Sequence, residues 1–172
     1  MNIAASRRST YLLVTAFLAG LSTIPANAAD PSGTWLTEDR RARVRTERCG
    51  PGNAQLCGYI VWGSKPLDEN GQPRVDRENP DPQKRTRLLL GHQVILGLKL
   101  GEDGRYGGQI YNGDNGKSYT VTVWSEEPST LSVKGCLVAV LCQTQTWTRV
   151  TDVVAGQLKG PTNGKDGPRS DR

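Results

Sequence analysis

The chain has 172 residues, 35% of them hydrophobic and 23% charged, with a formal net charge of +5 and a mean hydropathy of −0.52. That length makes one domain with one core. The charge, which drops by two once Arg7 and Arg8 are set aside with the amino-terminal segment, describes a mildly basic protein and excludes a nucleic-acid-binding polycation.

Residues 1–28 combine Arg7 and Arg8, the apolar run Tyr11 to Ala19, and Ala26-Asn27-Ala28. A charged start, a short hydrophobic centre and small residues at a cleavage point are the parts of a secretory signal peptide. The mature chain is therefore expected to begin at Ala29 and to be periplasmic or extracellular. Paired arginines suit the twin-arginine export route, whereas Thr10 stands where that signal prefers a large apolar residue, so the general route is the other option. The apolar run is too short for a membrane anchor and no second candidate follows it, so the product is expected not to span a membrane.

Short runs rich in Val, Ile, Thr, Tyr and Trp then recur between Gly, Asn, Asp and Pro turns. They predict strands at Thr34 to Asp39, Ala42 to Arg48, Gly58 to Trp62, Gln93 to Leu100, Arg105 to Tyr111, Lys117 to Trp124, Thr130 to Cys136 and Cys142 to Val150. Gly101 to Gly104 and Gly113 to Gly116 supply residues tolerant of positive φ, which makes the neighbouring strands antiparallel hairpins. Tyr119, Val121 and Val123 oppose Ser118, Thr120 and Thr122, and Ala42, Val44 and Thr46 oppose Arg41, Arg43 and Arg45, so each strand has one buried and one wet face. The expected fold is all-β, an eight-stranded antiparallel up-and-down barrel over residues 29–154, whose interior fits side chains or one small ligand.

The connection from Gly63 to Gly91 breaks this rhythm and has the length of a functional loop. Asp81 before Pro82 reads as an N-cap followed by proline at the first helical position, which predicts a short helix from Pro82 to Leu88 between the third and fourth strands. Leu88, Leu89 and Leu90 are expected to plug one end of the barrel. Residues 155–172 are Gly, Pro and charge without periodicity and are expected to be disordered.

Cys49, Cys57, Cys136 and Cys142 form two close pairs far apart in sequence. In an oxidising compartment the simplest pairing is local, Cys49 with Cys57 and Cys136 with Cys142, each closing a short loop worth roughly 2.5 kcal/mol, although long-range pairing fits the count equally. There is no C-x-x-C, and His92 is the only histidine, so neither a metal nor another cofactor is expected.

Gly33-Thr34-Trp35 opens the first strand, and Trp147-Thr148-Arg149 lies in the last. This resembles the lipocalin and wider calycin group, and the resemblance implies that Gly33, Trp35, Trp147 and Arg149 mark barrel closure, with Arg149 stacked on Trp35. The runs Leu56 to Trp62, Asn79 to Pro82 with Arg85 and Arg87, Gly108 to Asn112, Gly116 to Tyr119, Gly135-Cys136 and Gln145 to Arg149 extend the likeness. Together they resemble the bacterial secreted domain-of-unknown-function family 2147. That resemblance implies a small exported protein with a lipocalin-like barrel, and it transfers no catalytic residue.

Every Ser-His or Cys-His scheme would have to use His92, which reads as structural, and no nucleophile elbow or phosphate loop is present, so no catalytic residue is assigned. The expected role is non-enzymatic binding of a small amphipathic or apolar molecule. Trp62, Tyr111, Tyr119 and Trp124 are candidate cavity walls that could equally be core packing. Asp81 and Arg85, with Arg87, are candidates for the pocket mouth, although Asp81 could serve only as a cap. The competing role is an envelope-associated interaction protein that engages an anionic envelope component through Arg41, Arg43 and Arg45, which could equally be a solvated outer face.

Overall fold

The computed structural model describes residues 29–138 and 141–170. The expected signal peptide, residues 1–28, lies outside the described residues. The strands are β1 (Gly33–Leu36), β2 (Ala42–Cys49), β3 (Gln55–Gly63), β4 (Gln93–Leu100), β5 (Tyr106–Asn112), β6 (Lys117–Trp124), β7 (Thr130–Val138) and β8 (Leu141–Arg149). They pair in sequence order, all antiparallel, into a closed up-and-down barrel. The closing pairs are Trp35 with Arg149 and Leu36 with Thr148.

Alternation decides which side chains face inward. Val121 and Val123 are buried in β6 and Val44 and Thr46 in β2, while Ser118 and Thr120 stay exposed. Trp35, Leu56, Leu98, Tyr106, Val123 and Leu131 fill the base of the barrel. Burying each such side chain contributes about 1.5–3 kcal/mol.

Arg149 seals the base. Its guanidinium lies 4.1 Å from the centre of the Trp35 ring. It donates to the carbonyl oxygens of Ser32 (2.8 Å), Asp30 (3.0 Å) and Pro128. Beneath it the Trp35 indole N–H donates to Pro31 O at 3.0 Å and to Thr46 Oγ1 at 2.9 Å. Gly33 has φ +147°, and a Cβ there would overlap Arg149 Nη1. The glycine of G-x-W is thus required by the arginine that closes the ring.

The long connection differs from the sequence expectation in two ways. The helix is a single 3-10 turn, Pro82–Lys84, with the Asp81 carboxylate accepting from Gln83 N at 3.0 Å. It stops there because the next residues join an extended pairing: Val75 bridges Leu88, Asp76 N donates to Arg87 O at 2.9 Å, and Leu89 N donates to Arg74 O at 3.0 Å. The leucine plug is also incomplete. Leu89 is buried and Leu90 half-buried on the barrel's open end, but Leu88 points to solvent.

Residues 155–170, expected to be disordered, are instead laid against the barrel. Residues 152–170 run as an irregular strap over the outer face of β2 and β3. Leu158 N donates to Val61 O (2.9 Å), Arg169 N to Gly91 O (2.8 Å), and Pro168 is fully buried. Arg43 donates to Asp152 O, Asp152 Oδ2 and Gln157 Oε1, each at 2.9 Å, and Arg45 donates to Gly160 O at 2.9 Å and Thr162 Oγ1 at 3.2 Å. The strap has no hydrophobic period because main-chain groups and outward arginines hold it, with Leu158 and Pro168 as its apolar anchors.

Both disulfides close locally, Cys49 with Cys57 and Cys136 with Cys142. Two such bridges suit an oxidising, exported environment. Among the described residues no helix is long and apolar enough to cross a membrane.

Candidate functional site

The core fills only the base. At the other end, where the long connection and the β1–β2 and β5–β6 turns meet, the barrel holds a cavity of about 320 Å³. Its apolar wall comprises Val44, Ile60, Leu89, Val94, Ile110 and Trp147, all but Leu89 projecting inward from strands. A second hollow shares Ile110, Tyr119, Gln145 and Trp147 and continues up the β6–β7–β8 wall through Val121, Val133, Leu137 and Leu141. Leu137, at the end of β7, and Leu141, at the start of β8, line this hollow and are 63% and 61% exposed. The polar groups in these hollows include Gln145, which accepts from the Trp147 indole at 2.9 Å, and the Tyr119 hydroxyl, which accepts from Asn115 at 2.8 Å. A mostly apolar concavity with a few placed polar groups is the general form of a small-molecule site.

The mouth is charged. Arg41, Lys65, Arg74, Asp39 and Asp114 border it. Asp114 accepts from Arg74 at 2.9 Å and lies 3.7 Å from Arg41. Although partial burial pushes the Asp39 carboxyl upward, hydrogen bonds from Thr37 Oγ1 (2.7 Å) and Arg41 N (3.0 Å) hold it below the ordinary aspartate value.

One wall of the mouth is braced by a buried polar cluster. Asp76, fully buried, accepts from Tyr111 Oη (2.6 Å), Asn79 Nδ2 (2.7 Å) and Arg87 Nε (2.9 Å). Arg87 Nη2 stands 3.0 Å from His92 Nε2; since arginine only donates, that nitrogen accepts. His92 packs edge-on against Tyr111 at 5.3 Å. Burial, and then the hydrogen bond to the Asp76 carboxylate, push the Tyr111 phenol up to about 12.

Of the six candidate ligand contacts, Tyr111 and Tyr119 stand on the cavity. The other four stand away from it. Trp62 lies on the outer face beneath Arg43, 5.8 Å from its guanidinium. Trp124, also outward, is covered by Arg105 at 4.3 Å and donates to Glu126. Asp81 caps its turn, and Arg85 donates to Asn79 O at 2.7 Å. Trp147, assigned to barrel closure, lines both hollows, while closure itself runs through Trp35 and Arg149. Arg41, Arg43 and Arg45 do not form a free basic face, because the strap engages Arg43 and Arg45 and leaves only Arg41 at the mouth. Inward alternation would have found Val44, Ile60 and Ile110. Asn79 stands in one of the runs that carry the family resemblance, but nothing local marks Asp76, whose partners Arg87 and Tyr111 lie farther along the chain.

A barrel sealed at its base by an arginine over a tryptophan and hollow at its mouth is lipocalin-like. A family model described as an uncharacterized protein conserved in bacteria (DUF2147) matches residues 33–149, and the chain belongs to that family. Among solved structures it is similar to protein HP1028 from the human pathogen Helicobacter pylori, described as belonging to the lipocalin family. The TM-score is 0.55 and the identity 23%, covering 72% of this chain and 85% of that one. That likeness carries the fold. No curated protein matches the sequence.

Proposed function

We propose that this protein is an exported, non-enzymatic carrier that holds a small apolar or amphipathic molecule inside the barrel, entering beside the long connection, in the periplasm or outside the cell. The observation that carries this reading is the unfilled mouth end, where Ile110 and Trp147 join two hollows and Leu137 and Leu141 line the second with exposed apolar surface. Burial of such surface is worth about 25 cal/mol per Å², which gives an apolar guest a reason to occupy it. Tyr111 and Tyr119 are its proposed aromatic contacts.

The test is displacement of the neutral fluorescent probe N-phenyl-1-naphthylamine, together with mass spectrometry of an organic extract of natively purified protein. Ile110→Trp should fill the junction of the two hollows and abolish probe binding while the protein stays folded. Wild-type protein that neither binds the probe nor carries an extractable molecule would overturn the proposal.

A further inference from the structure

The two guanidinium groups at the mouth share one carboxylate. Asp114 Oδ1 is 2.9 Å from Arg74 and Oδ2 is 3.7 Å from Arg41, so a residue of the β5–β6 turn ties the long connection to the start of β2 across the cavity entrance. All three side chains are well exposed, at 49% for Asp114, 37% for Arg74 and 60% for Arg41. Pairs this wet are worth about 0–1 kcal/mol and are easily exchanged for another anion. Lys65 also borders the entrance and has no ion pair among the described residues. The other acid there, Asp39, is occupied by Thr37 Oγ1 and Arg41 N. Three cations therefore face two carboxylates directly above an apolar hollow.

We propose that the mouth is a site for the anionic head of a single-chain amphiphile, which takes the place of Asp114 between Arg41 and Arg74 while its chain enters the barrel. This rests on the carrier reading and narrows its ligand class. Two guanidinium groups can offer a carboxylate, sulfate or phosphate paired hydrogen bonds, and the apolar wall behind them accepts only what is left of the molecule, its chain. Asp114 acts as a built-in stand-in for the head, keeping the two arginines in place when the cavity has no guest. The same exchange makes the site selective, because a neutral chain gains nothing from opening the Asp114 bridge.

The experiment compares dodecanoate, dodecanol and inorganic phosphate as competitors of N-phenyl-1-naphthylamine. Dodecanoate should compete about tenfold better than dodecanol, and phosphate alone should not compete. In the Arg41→Gln/Arg74→Gln variant the preference for dodecanoate should vanish while dodecanol is unaffected. In Asp114→Asn, dodecanoate affinity should rise severalfold, a gain that a misfolded variant cannot imitate. Equal competition by dodecanol and dodecanoate, displacement by phosphate, or an unchanged Asp114→Asn would overturn this inference while leaving the carrier reading intact. Failure of the wild type to bind the neutral probe would remove both.

Discussion

Arg43 and Asp152, 109 residues apart in the chain, meet at 2.9 Å on the outside of the barrel and pin the carboxy-terminal strap to β2. Arg43 is only 7% exposed, while the Asp152 side chain is 63% exposed, so the arginine depends on the strap more than the aspartate depends on the arginine. Arg43→Ala should cost about 2 kcal/mol, because three charge-assisted hydrogen bonds disappear while Asp152 remains hydrated. The strap should also open locally, giving faster amide hydrogen exchange at Leu158 and Arg169, whose N–H groups donate to Val61 O and Gly91 O. Unchanged exchange at those two amides would show that the strap does not need Arg43.

The barrel was legible because each strand carries its own period. Tyr119, Val121 and Val123 name the inner face of β6 without reference to any other strand. Applied strictly, the same parity turns Trp124 outward, where it stands. Trp62 is different: counted from Ile60 it should point inward. A register irregularity pairs Arg43 with Trp62 but Val44 with Ile60, and this extra residue in β3 turns the indole out. The strap and the Asp76 cluster were hidden for another reason. Both are assembled by polar contacts between segments distant in sequence, such as Tyr111 with Asp76, which leave no periodic trace.

The base should behave as one unit. Arg149→Lys keeps the charge but loses the planar fork that reaches Ser32 O and Asp30 O, and should cost about 2 kcal/mol in urea unfolding. Gly33→Ala places a methyl group on the guanidinium and should cost a similar amount. Because both changes displace the same side chain, the double variant should lose less than the two separate losses combined. Strict additivity would show that Gly33 is needed for its backbone alone.

Tyr111 gives the protein an alkaline weakness. In the unfolded chain its phenol ionises near 10.0, and in the folded protein burial and the Asp76 carboxylate raise this to about 12. Between those values the unfolded chain has released a proton that the folded one retains, so rising pH favours unfolding. The stabilisation is fully present below about pH 10 and is lost as pH climbs through about 12. Tyr111→Phe removes this dependence. The difference in urea midpoint between wild type and variant should therefore shrink over that window, and a difference that does not vary with pH would contradict the assignment.

The two disulfides should separate stability from binding. Replacing either pair by serine frees a short loop and should cost about 2.5 kcal/mol on chain entropy alone. Cys49 and Cys57 staple the base end of β2 and β3, away from the cavity. Cys136 and Cys142 instead join β7 to β8 beside Leu137 and Leu141, and all four residues line the upper hollow. Cys136→Ser/Cys142→Ser should therefore weaken N-phenyl-1-naphthylamine binding severalfold as well as lower the urea midpoint, because the apolar wall splays when its staple is cut. Cys49→Ser/Cys57→Ser should lower the midpoint and leave the affinity of the folded fraction near wild type. Equal effects of the two pairs on probe binding would mean that the upper wall is held by strand pairing rather than by its bridge.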